Sequence, residues 1–211
     1  MNLAELRREY SSHGLIECDM CADPLAQFAK WFEQAQEADI VDVNAATLAT
    51  CSTDGKPSAR IVLVKGFGNM GFMFFTSYDG RKARELSSNP QAALVLFWAD
   101  LERQVRIEGV VQQVSRTQSE EYHKTRPRGS QLSAWASQQS VVIKNREELE
   151  TRLKDVESRF GEGDVPCPPN WGGYLLAPEV IEFWQGRPNR LHDRIRYRRD
   201  GLIWVMERLA P

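Results

Sequence analysis

Between Ala46 and Val114 the sequence breaks into short apolar runs parted by turn residues. That alternation confines the chain to antiparallel sheet structure. Ala46–Cys51 is one run and Ala59–Lys65 is the next. Asp54-Gly55-Lys56-Pro57 joins them, and Asp-Gly is the strongest short hairpin signal. Gly66, Gly68 and Gly71 lead into Phe72–Thr76. Lys82–Ser88 reads as a helix stopped by Asn89-Pro90, and strands resume at Ala92–Trp98 and Gln104–Val114. Helical stretches follow at Glu120–Lys124, Gln131–Ala136 and Arg146–Phe160, then a Pro/Gly loop over 161–170. Strand texture returns at Gly173–Leu176, Val180–Gln185, Arg190–Tyr197 and Leu202–Glu207. Upstream, Asp23-Pro24 opens an amphipathic helix to about Ala38, with Leu25, Phe28, Ala29, Phe32 and Ala35 on one stripe. The pattern predicts a mainly antiparallel β-barrel with peripheral α-helices, an α+β protein with one domain over 23–211 after an irregular segment, 1–22.

Composition removes several functions. Lys plus Arg number 27 against 29 Asp plus Glu, a net charge of −2, so a generic nucleic-acid partner is not expected. No run of 18 apolar residues occurs, and no membrane partner is expected. Met1–Tyr10 lacks an apolar leader core. Cys18 and Cys21 are spaced CxxC, but Cys51 and Cys167 stand alone and only His13 lies near the pair. That is too few ligands for a structural zinc, so no metal and reduced thiols in a cytoplasmic setting are expected. Dinucleotide, phosphate-loop, zinc-protease and serine-hydrolase signatures are absent.

Three clusters could carry chemistry. Arg60 and Lys65 fall on opposite faces of one strand, while Arg81 and Lys82 follow Thr76, Ser77 and Gly80 at a helix start. Such a corner suits an anion and reads equally as a solvated surface. Tyr122, Arg126 and Ser130 with His123, Lys124 and Arg128 suit a second phosphate, or a polar helix end. In a strand, Arg190, His192 and Arg194 share a face. Their mutual repulsion is relieved by an anionic or electron-rich ligand.

The strings Arg7-Arg8-Glu9-Tyr10, Asp54-Gly55-Lys56-Pro57-Ser58-Ala59-Arg60, Val64-Lys65-Gly66-Phe67, Phe75-Thr76, Arg81-Lys82, Arg103-Gln104-Val105-Arg106-Ile107-Glu108-Gly109, Ser137-Gln138-Gln139-Ser140, Trp171-Gly172-Gly173-Tyr174, Glu182-Phe183-Trp184-Gln185-Gly186 and Asn189-Arg190-Leu191-His192-Asp193-Arg194 occur in that order. Together they closely resemble the pyridoxine/pyridoxamine 5′-phosphate oxidase family. The resemblance implies an FMN-binding split barrel and a homodimer with active sites at the interface. It implies oxidation of pyridoxamine or pyridoxine 5′-phosphate to pyridoxal 5′-phosphate, with O2 as acceptor and H2O2 as product. By the same resemblance Arg60, Phe75, Thr76, Arg81, Lys82, Gln104, Gln139, Ser140, Trp184 and Arg194 hold FMN. Lys65, Tyr122, Arg126 and Ser130 grip the substrate phosphate. Arg190 and His192 sit catalytically over the substrate ring, and segment 1–22 is mobile, with Arg7 and Tyr10 as a cover.

Because the flavin carries the redox step, the protein binds, orients and tunes charge. Two rival readings use the same barrel. A different flavin or deazaflavin enzyme would not need Tyr122, Arg126 and Ser130 together with Arg190 and His192. A protein that stores or senses FMN or pyridoxal phosphate would need the phosphate grips but not Arg190 and His192.

Overall fold

A computed structural model describes residues 9–10 and 14–211; Arg7 and His13 lie outside the described residues. The order is α1 (Pro24–Glu37), β1 (Ala45–Cys51), β2 (Pro57–Leu63), β3 (Gly66–Gly68), β4 (Gly71–Ser77), α2 (Arg81–Ser88), β5 (Gln91–Trp98), β6 (Arg103–Gln113), α3 (Arg116–Thr125), α4 (Arg128–Ala136), α5 (Arg146–Phe160), β7 (Trp171–Gln185), β8 (Asp193–Asp200) and β9 (Ile203–Leu209). The strands form one antiparallel sheet in the order β2-β1-β5-β6-β7-β4-β3, with β8 on β7 and β9 on β8. Only Val64 and Lys65 separate β2, at one edge, from β3, at the other. The edges must therefore approach each other, and the Lys65 N–H donates to the Met73 carbonyl at 2.8 Å. The result is a curled half-barrel, the expected split-barrel class.

α1 begins as its sequence dictates. The Asp23 carboxylate accepts from the Leu25 N–H at 3.0 Å, and Pro24 occupies the first helical position. Its apolar stripe plugs the half-barrel. Phe28 is fully buried and meets Phe72 edge-on at 4.8 Å, while Trp31 meets Phe183 at 5.1 Å. Truncating a ring so placed costs about 3–5 kcal/mol.

The structure departs from the sequence expectation at several points. β7 is one strand where two were expected. It pairs with β6 along its length, and the register slips between Glu108 and Gly109, opposite Pro178. Proline cannot donate to the ladder, so the sheet accommodates it with a bulge. A Cβ at Gly109 would run into the Ala177 carbonyl. α3 starts at Arg116, four residues before the expected Glu120, because Ser115 and Gln118 form a capping box. The expected strand over 190–197 begins at Asp193; Pro188–Arg190 is a 3-10 turn in which Asn189 and Arg190 have φ of 57° and 62°. Gly14–Ala22 is tied to the last strands: the Leu15 N–H donates to Asp193 at 3.1 Å, and Arg208 pairs with Glu17 at 2.7 Å. Among the described residues no helix is long and apolar enough to cross a membrane. None of their His, Cys, Asp and Glu groups forms a metal cluster.

Candidate active site

A cleft of about 1230 Å³ opens between the β2 edge, the end of β4, the start of α2 and the α3–α4 corner. Arg60, Lys65, Phe75, Thr76, Arg81, Lys82, Tyr122, Arg126, Ser130, Gln139 and Ser140 all line it. Lys65 follows the end of β2, where the chain crosses between the sheet edges. It therefore shares the cleft with Arg60, although the two leave the strand at different points.

One corner is built on the N-terminus of α2. The buried Lys82 ammonium donates to Thr76 Oγ1 at 2.9 Å and to Gln139 Oε1 at 2.6 Å. Burial, and then the charge of Arg60, lowers its pKa to about 8. The Arg81 N–H donates to Ser140 Oγ at 3.2 Å. Gly80 lets this loop close, since a Cβ there would strike the Gln139 amide. Glu85 ties the corner together. Its carboxylate accepts from Thr50 at 2.5 Å, Ser58 at 2.6 Å and Arg81 at 2.8 Å, and Arg60 lies 3.5 Å away. Burial would raise the Glu85 pKa, but the bonds from Ser58, Thr50 and Arg81 and the charge of Arg81 hold it at about 2. Two cations, Arg60 and Arg81, therefore share one carboxylate, and Lys82 adds a third positive charge at the start of α2. A dianionic phosphate such as that of FMN fits this excess.

The second corner is aromatic. Tyr122 stacks on Phe75 with centroids 3.8 Å apart and planes 19° apart. Burial raises the Tyr122 pKa, with Arg126 opposing it, so the phenol keeps its proton and can donate. α3 ends at Thr125, one residue short of Arg126. The Arg126 guanidinium folds over the Trp171 ring at 4.6 Å. Its Nη1 is buried without a hydrogen-bond partner. An orphaned guanidinium nitrogen in a cleft invites an anion, since leaving it unmet is costly. Ser130, in the first turn of α4, and the exposed Lys65 complete the rim.

The tail residues lie elsewhere. Tyr10, Gln104, Trp184, Arg190, His192 and Arg194 do not line this cleft. Gln104, Trp184 and Arg194 are direct neighbours in one row across β6, β7 and β8. Arg194 pairs with Glu182 at 2.8 Å, and Glu182 also takes Arg106 at 2.6 Å. His192 sits 4.7 Å from the Trp184 ring, and Tyr10 stands edge-on to both at 5.6 and 5.5 Å. Arg190, His192 and Arg194 do not share a strand face, because the first two precede β8. Burial, and then the charge of Arg190, lowers the His192 pKa.

Sequence reasoning missed Glu85 and gave Trp171 no role. Glu85 carries a weak signal, its i,i+4 spacing from Arg81. Trp171 stands in the string Trp171-Gly172-Gly173-Tyr174, which gives it no role.

Residues 32–160 match the family described as pyridoxamine 5′-phosphate oxidase, and residues 171–211 match the pyridoxine 5′-phosphate oxidase C-terminal dimerisation region. A pyridoxine/pyridoxamine 5′-phosphate oxidase of Rubrobacter xylanophilus is 55% identical over 210 residues, covering 100% of this chain and 97% of that protein. One from a Cyanothece strain is 54% identical, covering 100% and 99%. Among solved structures, PhzG from Burkholderia lata, in complex with tetrahydrophenazine-1-carboxylic acid, superposes with a TM-score of 0.88 at 29% identity, covering 93% of this chain and 98% of that one. A pyridoxamine 5′-phosphate oxidase-related, FMN-binding protein of Nostoc punctiforme has a TM-score of 0.70 at 18% identity, covering 88% and 96%, which supports the fold.

Proposed function

The chain belongs to the pyridoxine/pyridoxamine 5′-phosphate oxidase family, and we propose that it works through two phosphate-binding corners of one cleft. It is an FMN-dependent oxidoreductase that forms pyridoxal 5′-phosphate from pyridoxamine or pyridoxine 5′-phosphate. In the proposal, Arg60, Thr76, Arg81, Lys82, Gln139 and Ser140 hold FMN, with Phe75 beside them. Lys65, Tyr122, Arg126 and Ser130 hold the substrate phosphate. The observation that carries this reading is the presence of two separate cationic corners in a single cleft, as a phosphorylated cofactor and a phosphorylated substrate require.

FMN held there would supply the hydride acceptor, with O2 as the final electron acceptor. The alcohol substrate with O2 gives the aldehyde and H2O2; the amine substrate also consumes water and releases ammonia. The residues of the chain bind and orient. Gripping the phosphate fixes where the substrate's C4′ carbon lies. Arg190 presses the substrate ring into place, and His192 hydrogen-bonds the reacting amine or alcohol. Gln104, Trp184 and Arg194 would flank the flavin, and Tyr10, packed on Trp184 and His192, would help cover the site.

Because the tail cluster does not line its own cleft, we place it over the cleft of the second subunit in a homodimer. The match of 171–211 to a dimerisation region supports this arrangement. A cytoplasmic setting is part of the same proposal.

The test separates the corners. Arg81→Ala should weaken FMN binding, read by flavin fluorescence quenching. Arg126→Ala should raise KM for pyridoxamine 5′-phosphate while FMN binds as in the parent. If both variants lose FMN and neither changes KM, the two-corner assignment is wrong.

A further inference from the structure

An arginine in a cleft ordinarily pairs with a carboxylate, because a charge left uncompensated where water is scarce is costly. The FMN-side corner follows that rule: Arg81 and Arg60 both address Glu85. Arg126 does not. Among the described residues no carboxylate bonds to it, and its Nη1 has no partner. Its guanidinium lies on the face of Trp171 instead. An aromatic face attracts a cation through its quadrupole but offers no lone pair in competition for the N–H groups. A guanidinium held this way stays in place and keeps its donors for an incoming anion.

Trp171 is well fixed for such a task. It opens β7, where its backbone stands opposite Ser77 of β4. Its N–H donates to the Pro168 carbonyl at 3.2 Å, and its own carbonyl accepts from Arg116 at 3.3 Å. Its ring lies within 16° of the Phe75 plane and 6° of the Tyr122 plane, at 5.7 and 6.2 Å. The buried His123 ring stands nearly perpendicular to it at 5.3 Å. Trp171 is thus in register with Tyr122 and Arg126, two of the four proposed phosphate grips.

We propose that Trp171 is a positioning residue for the substrate phosphate: it holds the Arg126 guanidinium by cation–π contact in place of a carboxylate, so that Arg126 presents unpaired donors to the phosphate. This inference rests on the assignment of Arg126 to the substrate. It predicts that Trp171 acts on phosphate affinity and not on FMN, and only while Arg126 is present.

The experiment measures KM and kcat for pyridoxamine 5′-phosphate on FMN-saturated enzyme, with inorganic phosphate as a competitive inhibitor, in Trp171→Leu, Trp171→Phe, Arg126→Ala and the Trp171→Leu/Arg126→Ala double variant. Trp171→Leu should raise KM, and the inhibition constant for phosphate, roughly 2- to 30-fold, the range expected for a cation–π contact. kcat and FMN content should change little. Trp171→Phe keeps a weaker aromatic face and should give a smaller rise in the same direction. In the Arg126→Ala background the leucine substitution should add nothing further. The inference is overturned if Trp171→Leu leaves KM unchanged, or if it raises KM equally with and without Arg126, as loss of packing alone would. If the leucine variant does not fold, an unchanged KM in Trp171→Phe overturns it as well. An Arg126→Ala variant with parental KM would instead sink the substrate assignment itself, a separate result.

Discussion

The backbone N–H of Arg187 donates to Nδ1 of His192 at 3.1 Å. A neutral imidazole whose Nδ1 accepts carries its proton on Nε2. His192 is therefore set up at Nε2 as a hydrogen-bond donor and not as a base. Burial and the charge of Arg190 lower its pKa below the ordinary value, which favours this neutral form. His192→Gln, whose amide nitrogen can replace the Nε2 donor, should retain more activity than His192→Asn. Loss of the donor should cost roughly 2- to 10-fold in kcat/KM. The acid limb of kcat/KM should titrate below pH 6.5, the usual histidine value, and move upward in Arg190→Ala. A glutamine variant no better than asparagine would refute the donor role.

His123 is fully buried, and neither ring nitrogen has a hydrogen-bond partner. Burial, then the charges of Arg126 and Arg116, lowers its pKa to about 4, against about 6.5 in the unfolded chain. Between those values the unfolded chain binds more protons than the folded one. Stability therefore falls as pH drops from about 6.5 towards 4, by roughly 3 kcal/mol for this group. His123→Phe should remove that part of the acid loss and raise the melting temperature at pH 5 more than at pH 7. Thermal unfolding of FMN-saturated protein at the two pH values decides it; an equal shift at both would mean that His123 does not titrate on unfolding.

What could be read in the sequence was what local chemistry determines. The start of α1 follows from Asp23-Pro24, and the first hairpin from Asp54-Gly55. Phe28 announced itself by helical spacing. The start of β8 was not legible: Arg190, His192 and Arg194 alternate like a strand, yet Pro188 and the positive φ of Asn189 and Arg190 keep the first two out of the strand. Glu85 reads as one more charge on a short helix. It is buried because Thr50 and Ser58, more than 25 residues earlier in the chain, close over it. The two proposed phosphate corners appear in the sequence as residue clusters, but that Arg126 lies on Trp171 depends on a strand forty-five residues away. Spacing within one chain also carries no information about which subunit's cleft the tail cluster serves.

The lowered pKa of Lys82 predicts how FMN retention depends on pH. A lysine whose folded pKa is about 8 loses its charge as pH rises through that value. FMN affinity should then fall above pH 8, by at most about tenfold per pH unit. Lys82→Met should bind FMN more weakly at pH 7 and show no further decline from pH 7 to 9. Replacing Arg81 by Ala should cost about 1.5–3 kcal/mol, roughly 10- to 150-fold in affinity, at every pH. Fluorescence titration of FMN-free protein at pH 7, 8 and 9 measures both. A lysine variant with the parental pH slope would assign the decline to another group.

The proposed completion of each cleft by the second subunit's tail predicts complementation. Arg126→Ala should damage the cleft, and Arg190→Ala the tail, leaving each homodimer with two impaired sites. A heterodimer of the two would carry one site with both parts intact and one with neither. Random assembly makes half the dimers mixed, so co-expressed variants should recover about one quarter of parental activity. Simple mixing of the purified homodimers should recover this only as fast as subunits exchange. If cleft and tail of the same chain work together, every heterodimer site keeps one defect and no activity returns. Differentially tagged, co-purified heterodimers assayed with pyridoxamine 5′-phosphate distinguish the two outcomes.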